Sequence, residues 1–176
     1  MSDFVMMTDS CCDLSAELAA ELELEVLPLR LELEGRSYRN LLDGGEIGFQ
    51  EFYAKVRSGA MPVTSAVNVG EFDAAMRPIL EAGKDILCLC FSSALSTTYQ
   101  SAVIAGRELE EDFPERKVRV VDSLCASMGQ GLFVWLCAQE KKKGKTLEEV
   151  LDFAEGAKGN ICHWFTVDDL NHLKRG

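Results

Sequence analysis

Short apolar runs alternate along this chain with stretches whose apolar residues return every three or four positions. Phe4-Val5-Met6-Met7 is the first run, and it ends in Thr8-Asp9-Ser10. An apolar run closed by polar residues predicts a strand. Asp13 or Ser15 is placed to cap a short helix reaching about Leu22. Val26-Leu27-Pro28-Leu29 and Leu31-Glu32-Leu33 alternate as strands do, and Gly35 offers a turn before Tyr38. Helical spacing i, i+3, i+4, i+7 then recurs four times. It is carried by Phe49, Phe52, Tyr53, Val56; by Phe72, Ala75, Met76, Ile79; by Tyr99, Ala102, Val103, Gly106 with Leu109 beyond; and by Leu147, Val150, Leu151, Ala154. A further helix is predicted from about 128 to 142. Leu132, Phe133, Val134, Trp135 and Leu136 make it apolar on most sides, so it is expected to be heavily buried.

Three more runs have strand character: residues 86–91, 118–121 and 161–165. The first is apolar on both faces, as a central strand of a parallel sheet covered by helices must be. The alternation predicts an α/β fold, a mostly parallel sheet flanked by helices on both faces and wired by right-handed crossovers. No internal repeat, low-complexity segment or flexible linker interrupts it.

A length of 176 residues suits one domain with a real core. Hydrophobic residues make up 47% and charged residues 27%, an ordinary globular composition. The formal net charge of −11 argues against nucleic acid or an anionic membrane surface as the main partner, because phosphates must be met by positive charge. Lys141-Lys142-Lys143 with Lys145 is the one basic run; it serves either as a local docking patch or as a solvated helix end. No stretch approaches the roughly 20 apolar residues that span a bilayer. Met1-Ser2-Asp3-Phe4 has no basic segment leading an apolar core, so no secretory signal is read there. The expected compartment is the cytoplasm, without membrane insertion.

Seven cysteines invite a metal or disulfide reading, and their spacing supports neither. Cys11-Cys12 are adjacent, Cys88 and Cys90 alternate along a strand, and Cys125, Cys137 and Cys162 are isolated. They read as reduced thiols packed as small apolar groups. Neither His163 nor His172 has a partner at finger-like spacing.

The segment richest in chemistry is Phe91-Ser92-Ser93-Ala94-Leu95-Ser96-Thr97-Thr98-Tyr99-Gln100-Ser101-Ala102, in which an apolar strand runs into hydroxyl residues and then into a helix. Open parallel sheets bind ligands beyond the carboxyl ends of their strands, and a helix start there presents unpaired N–H groups. Such a place suits an anion, a carboxylate or a phosphate. The plainer alternative is that Ser96 or Thr97 caps the helix. Pro62-Val63-Thr64-Ser65 supplies a second hydroxyl group, for which turn and cap chemistry is again the plainer reading. Asp122-Ser123, Ser127-Met128-Gly129-Gln130-Gly131 and Thr8-Asp9-Ser10 repeat the placement. Catalytic constellations are scarce. There is no G-x-S-x-G elbow, no phosphate loop and no histidine in a helpful context, and His163 reads as a packed residue of an apolar run.

In order along the chain, these pieces resemble the DegV family. Thr8-Asp9-Ser10 with Asp13-Leu14 resembles its opening T-D-S-x-x-D-L, and Leu27-Pro28-Leu29 its L-P-L. Asp43-Gly44 before Phe52-Tyr53 is similar to its D-G turn and helix, and Thr64-Ser65 followed by Phe72 to its T-S segment. Ser92 through Ala102 resembles S-S-x-L-S-G-T-Y-Q-S-A, Val121-Asp122-Ser123 with Gly129-Gln130-Gly131 the V-D-S and G-x-G stretch, and Leu170 through Gly176 the start of L-x-x-L-K-x-G-G-R. The family glycine after Ser96 is Thr97 here, and T-S-Q-P-S reads Thr64-Ser65-Ala66-Val67-Asn68.

The resemblance implies two α/β domains with a long-chain fatty acid between them, the acyl chain being presented to a fatty-acid kinase. It implies that Thr64 and Ser96 hold the carboxylate with Ser65 and Ser93 nearby, and that no cofactor, metal or catalytic residue is involved. Met6, Phe91, Ile104 and Phe165 are candidates for the tail's wall. On this basis residues 1–160 form a DegV-like N-terminal domain, and 161–176 begin the connection to a second domain that the chain lacks. A cavity left open on that side would favour oligomerisation. Two other readings stand beside the carrier: a hydrolase or transferase using Ser93 or Ser96, and a truncated domain kept for protein interaction.

Overall fold

In the computed structural model, which describes residues 4–167 and Leu170, the chain opens with strand β1 (Phe4–Asp9) and helix α1 (Ala16–Glu21). Ser15 caps α1, its Oγ accepting the Leu18 N–H at 3.2 Å. Strands β2 (Leu24–Leu27), β3 (Arg30–Leu33) and β4 (Arg36–Arg39) follow, then α2 (Phe49–Arg57), β5 (Val63–Ser65) and α3 (Val69–Glu81). The second half alternates β6 (Asp85–Cys90), α4 (Thr98–Asp112), β7 (Val118–Asp122), α5 (Met128–Lys142) and α6 (Leu147–Ala157).

Four strands form a parallel sheet in the order β2-β1-β6-β7. The alternation of side chains along β1 and β6 divides the core in two. Phe4, Met6, Leu87 and Leu89 face α5 and α6, where Phe133, Val134, Cys137 and Val150 meet them. Met7, Ile86, Cys88 and Cys90 face α3 and α4 against Phe72, Met76, Ala102 and Leu109. Both faces of β6 are therefore dry, as its sequence requires. Each of its fully buried Leu and Ile side chains contributes about 1.5–3 kcal/mol. The first connection leaves β1 toward β2, whereas β6 leads away to β7. The order of strand addition thus reverses between β1 and β6, and a crevice opens there at the strands' carboxyl ends.

A second, antiparallel sheet has the order β4-β3-β5. Its registers place Leu31 opposite Tyr38 and Thr64, and Arg30 opposite Arg39 and Ser65. The residues around Thr64 are thus a strand and not a turn or cap, although three residues give too short a run for alternation to reveal it. Asn68 and Glu71 form a capping box at the start of α3, and the second Glu71 oxygen holds Arg30 of β3. That bond ties β3 of the small sheet to α3, which packs on the large one.

Three expectations are corrected. Residues 161–165 form no strand: they have no regular structure, and Trp164 is 97% exposed and Phe165 78%. A β-rich composition supplies no partner ladder, and an isolated extended segment has none. His163 in that run is exposed and not packed in a core. α5 is buried along one face only, since Met128, Leu132 and Trp135 are substantially exposed. The run Lys141-Lys142-Lys143-Lys145 is largely neutralised: Lys142 pairs with Glu21, Lys143 and Lys145 both pair with Glu140, and Lys141 lies over the Phe4 ring. Residues 168, 169 and 171–176, half of the expected connection to a second domain, lie outside the described residues.

Candidate functional site

A cavity of about 600 Å³ lies between the two sheets, beyond the carboxyl ends of β1 and β6. That is an ordinary size for a small-molecule site. Leu29, Leu31, Leu41, Ile47 and Phe91 give it apolar walls, and one side is closed by Phe49, Phe52 and Tyr53 of α2. Besides the Tyr53 phenol, three aliphatic hydroxyl residues reach it: Thr64, Ser96 and Thr97.

Thr64 arrives through the β5–β3 ladder. Residues directly opposite share a sheet face, so Thr64 points where Leu31 points, toward the cavity, and Ser65 shares the opposite face with Arg30. Ser65 is exposed and does not line the cavity. Among the described residues the Thr64 and Thr97 hydroxyls have no hydrogen-bond partner within the protein. Ser96 sits in the loop from β6 to α4. Its Oγ accepts the Thr98 N–H at 3.2 Å and lies 2.9 Å from the Thr98 hydroxyl. It therefore organises the first turn of α4 and also faces the cavity. Thr97 is the residue preceding α4, with φ −81° and ψ 1° and no side-chain cap bond. That backbone does not need a glycine, so the departure from the family pattern is unstrained.

Ser93 contributes in another way. Its backbone N–H donates to Asp122 Oδ1 at 3.1 Å, and the same oxygen accepts the Leu124 N–H at 3.0 Å. The hydroxyl loop is thereby pinned to the end of β7, but Ser93 itself does not line the cavity. Of the proposed wall residues only Phe91 is in place. Met6 is in the core beneath α5, while Ile104 and Phe165 are exposed.

Behind the cavity floor lies a buried polar brace that joins two of the polar segments singled out in the sequence, a meeting that neither motif by itself reveals. Asp9 Oδ2 accepts the Phe91 N–H at 2.8 Å, and Oδ1 accepts the Cys11 N–H at 3.0 Å and a Gln130 amide N–H at 3.3 Å. The same Gln130 nitrogen reaches Thr8 Oγ1 at 3.0 Å, and Thr8 donates to the Leu89 carbonyl at 2.7 Å. Burial pushes the Asp9 carboxyl above its ordinary range, with these donors opposing the shift. Ser10 completes the brace by accepting from the Leu29 N–H and the Asn40 amide, each at 3.1 Å. The T-D-S and G-Q-G segments thus hold the β1–β6 seam, the β3 start and α5 in register. Gly131 fits for a packing reason, since a Cβ there would come within 2.5 Å of the Cys12 carbonyl oxygen.

Two arginines reach the cavity rim, and both are engaged: Arg30 with Glu71 at 2.7 Å and Arg39 with Glu46 at 2.5 Å. Among the described residues no group of His, Cys, Asp and Glu is arranged to hold a metal ion. Among the described residues no helix is long and apolar enough to cross a membrane. The site is an apolar hollow with neutral hydroxyls on one wall, the kind that receives an amphiphile with a small acceptor head.

Comparison with known proteins gives this architecture its family. The model of the DegV family, described as uncharacterised, matches residues 3–176, and the chain belongs to that family. A DegV domain-containing protein of Clostridium perfringens is 43% identical over 176 residues, covering 100% of this chain and 60% of the relative. Among solved structures, a DegV family protein from Thermus thermophilus described by its fatty-acid binding superposes with a TM-score of 0.85 at 36% identity, over 99% of this chain and 60% of that one. A stearic acid-binding protein from Eubacterium ventriosum gives 0.78 at 26% identity, over 86% and 52%. The chain spans about 60% of the length of the curated relatives it matches.

Proposed function

We propose that this chain binds a long-chain fatty acid in the cavity between its two sheets. Thr64 and Ser96 hold the carboxylate with Ser65 and Ser93 nearby, Ser93 pinning the hydroxyl loop through its backbone N–H to Asp122, and the tail lies against the apolar walls. The observation that carries this reading is the convergence of two hydroxyls from separate elements, β5 and the β6–α4 loop, on one apolar hollow. Binding of fatty acid by the Thermus thermophilus relative supports it. A carboxylate needs donors more than it needs a full countercharge, and hydrogen bonds to a charged group are worth about 1.5–3 kcal/mol each. The tail adds about 0.8 kcal/mol per buried methylene. The protein acts as a carrier without chemistry of its own, located in the cytoplasm, and presents the acid to a fatty-acid kinase. The Ser96 hydroxyl faces Thr98 and not a base, which weighs against a serine nucleophile.

Native mass spectrometry of the purified chain, with organic extraction, tests the proposal. A long-chain carboxylic acid that is lost in Thr64→Val supports it. A clean mass that incubation with palmitic acid leaves unchanged overturns it.

The exposed apolar residues Leu124, Met128, Leu132 and Trp135 support a second reading, in which this face packs against another copy of the chain. Sedimentation of the wild type against Trp135→Glu separates a self-associating protein from a monomer.

A further inference from the structure

Helix α2 has amphipathic spacing yet no buried residue. Phe49 is 52% exposed and Tyr53 54%, although both line the cavity. Its 9 residues are fewer than the roughly 12 an isolated helix needs to persist in water, so packing must hold it. Few such contacts are present from the protein side. The apolar face of α2 looks into the hollow and not onto a core.

What does hold α2 is peripheral and polar. Lys55 Nζ reaches Glu34 Oε2 on the β3–β4 turn at 2.7 Å, with Glu51 4.0 Å away. Before the helix, Glu46 accepts both the backbone N–H and the side-chain Nε–H of Arg39 at 2.5 Å. The segment is flanked by backbone that turns easily: Gly44 with φ 68° on one side and Gly59 with φ 103° on the other.

Resting on the proposed fatty-acid function, we infer that α2 is the tail-binding lid of this cavity, with Phe49, Phe52 and Tyr53 as the side chains that contact the acyl chain and the Lys55–Glu34 pair as its latch. The acid enters and leaves when α2 swings out between Gly44 and Gly59. The tail supplies the apolar surface that α2 lacks, so binding and lid closure are one event. Selectivity for tail length then resides in α2 as well as in the sheet walls. Both tethers are exposed ion pairs, worth little each, which keeps the lid easy to open.

The test uses the whole chain and cis-parinaric acid, whose fluorescence rises in an apolar site. Stopped-flow mixing and displacement give its rates of uptake and release. Lys55→Glu places a carboxylate against Glu34 and Glu51 on the surface, where the fold tolerates it. Release is expected to quicken by about two- to fivefold, uptake to quicken with it, and Glu34→Lys in the same chain to restore both rates. Hydrogen exchange over residues 49–57 is expected to slow when palmitic acid is bound. Tyr53→Ala is expected to weaken stearic acid more than lauric acid. Rates that Lys55→Glu leaves unchanged, or exchange that the ligand does not slow, overturn the lid while leaving fatty-acid binding in place. A wild type that takes up no probe overturns both.

Discussion

Thr64 stands directly opposite Leu31 in the β5–β3 ladder, and both of them line the cavity. Its sequence neighbour Ser65 pairs with Arg30 and belongs to the other face. Two adjacent hydroxyls that are indistinguishable as residue types thereby receive different roles. A slip of one residue in this register would exchange them.

Removing the Thr64 hydroxyl while keeping its shape should therefore weaken fatty-acid binding, whereas the same loss at Ser65 should not. Thr64→Val is expected to cost about 1.5–3 kcal/mol, at least tenfold in Kd, and Ser65→Ala less than about 0.5 kcal/mol. Titration calorimetry with palmitic acid measures both. Ser96→Ala is a less clean probe because Ser96 also accepts the Thr98 N–H, so its melting temperature must be read beside its affinity.

The two glycines opening α5 should respond oppositely to alanine. At Gly131 a Cβ meets the backbone oxygen of Cys12 at 2.5 Å and Leu14 at 3.0 Å, neither of which can step aside cheaply. Gly131→Ala is expected to destabilise by about 1–3 kcal/mol or more. At Gly129 the obstacle is the His163 ring at 2.8 Å, on an exposed segment free to yield. Once the ring moves, the helix gains up to about 1 kcal/mol in propensity. Urea unfolding of the two variants distinguishes the cases, and equal losses would contradict the account.

Stability should carry a signature of Asp9 under acid. Burial raises its carboxyl above the ordinary 3.8. Between that value and the raised one, the folded protein keeps a proton that the unfolded chain has released. This group's contribution is therefore fully present below the ordinary value and declines as pH rises through the folded one, after which it is flat. Asp9→Asn removes the slope and also leaves either the Phe91 or the Cys11 N–H without its acceptor. Unfolding free energies across an acid pH series should show wild type losing ground relative to Asp9→Asn as pH rises. A constant difference would mean that Asp9 does not titrate in this range.

Of the seven thiols, one should label quickly. Cys162 is exposed, while Cys12, Cys88, Cys90, Cys125 and Cys137 are buried. Burial pushes the Cys12 thiol up to about 11 and Cys137 up to about 12, and it raises Cys11 further beside Asp9. Few thiolates are then present at neutral pH. Brief iodoacetamide treatment followed by peptide mass mapping should find Cys162 modified first, with Cys11 slower despite lining the cavity. Cys88 and Cys90, whose sulfurs lie 3.5 Å apart on one face of β6, should react only on unfolding.

Much of the architecture is legible along the chain because it depends on local periodicity. The helices Met128–Lys142 and Leu147–Ala157, the doubly apolar β6 and the hydroxyl loop at its carboxyl end each declare themselves within about 15 residues. Periodicity states which face of an element is apolar; it does not state what that face meets. The spacing of Phe49, Phe52 and Tyr53 announces a helix, yet only the assembled structure turns them onto a cavity and not a core. Residues 161–165 have the composition of a strand, and only the absence of a neighbouring ladder denies them one.

By itself, then, the sequence determined the α/β class, the order and nature of most elements, and the family, since each rests on residue types at short spacings. The tertiary structure decided which hydroxyls face the cavity, which serine serves only through its backbone, and that Asp9 and Gln130, 121 residues apart, join in one brace. Those outcomes depend on strand register and on contacts between distant segments, and such contacts exist only once the chain has folded.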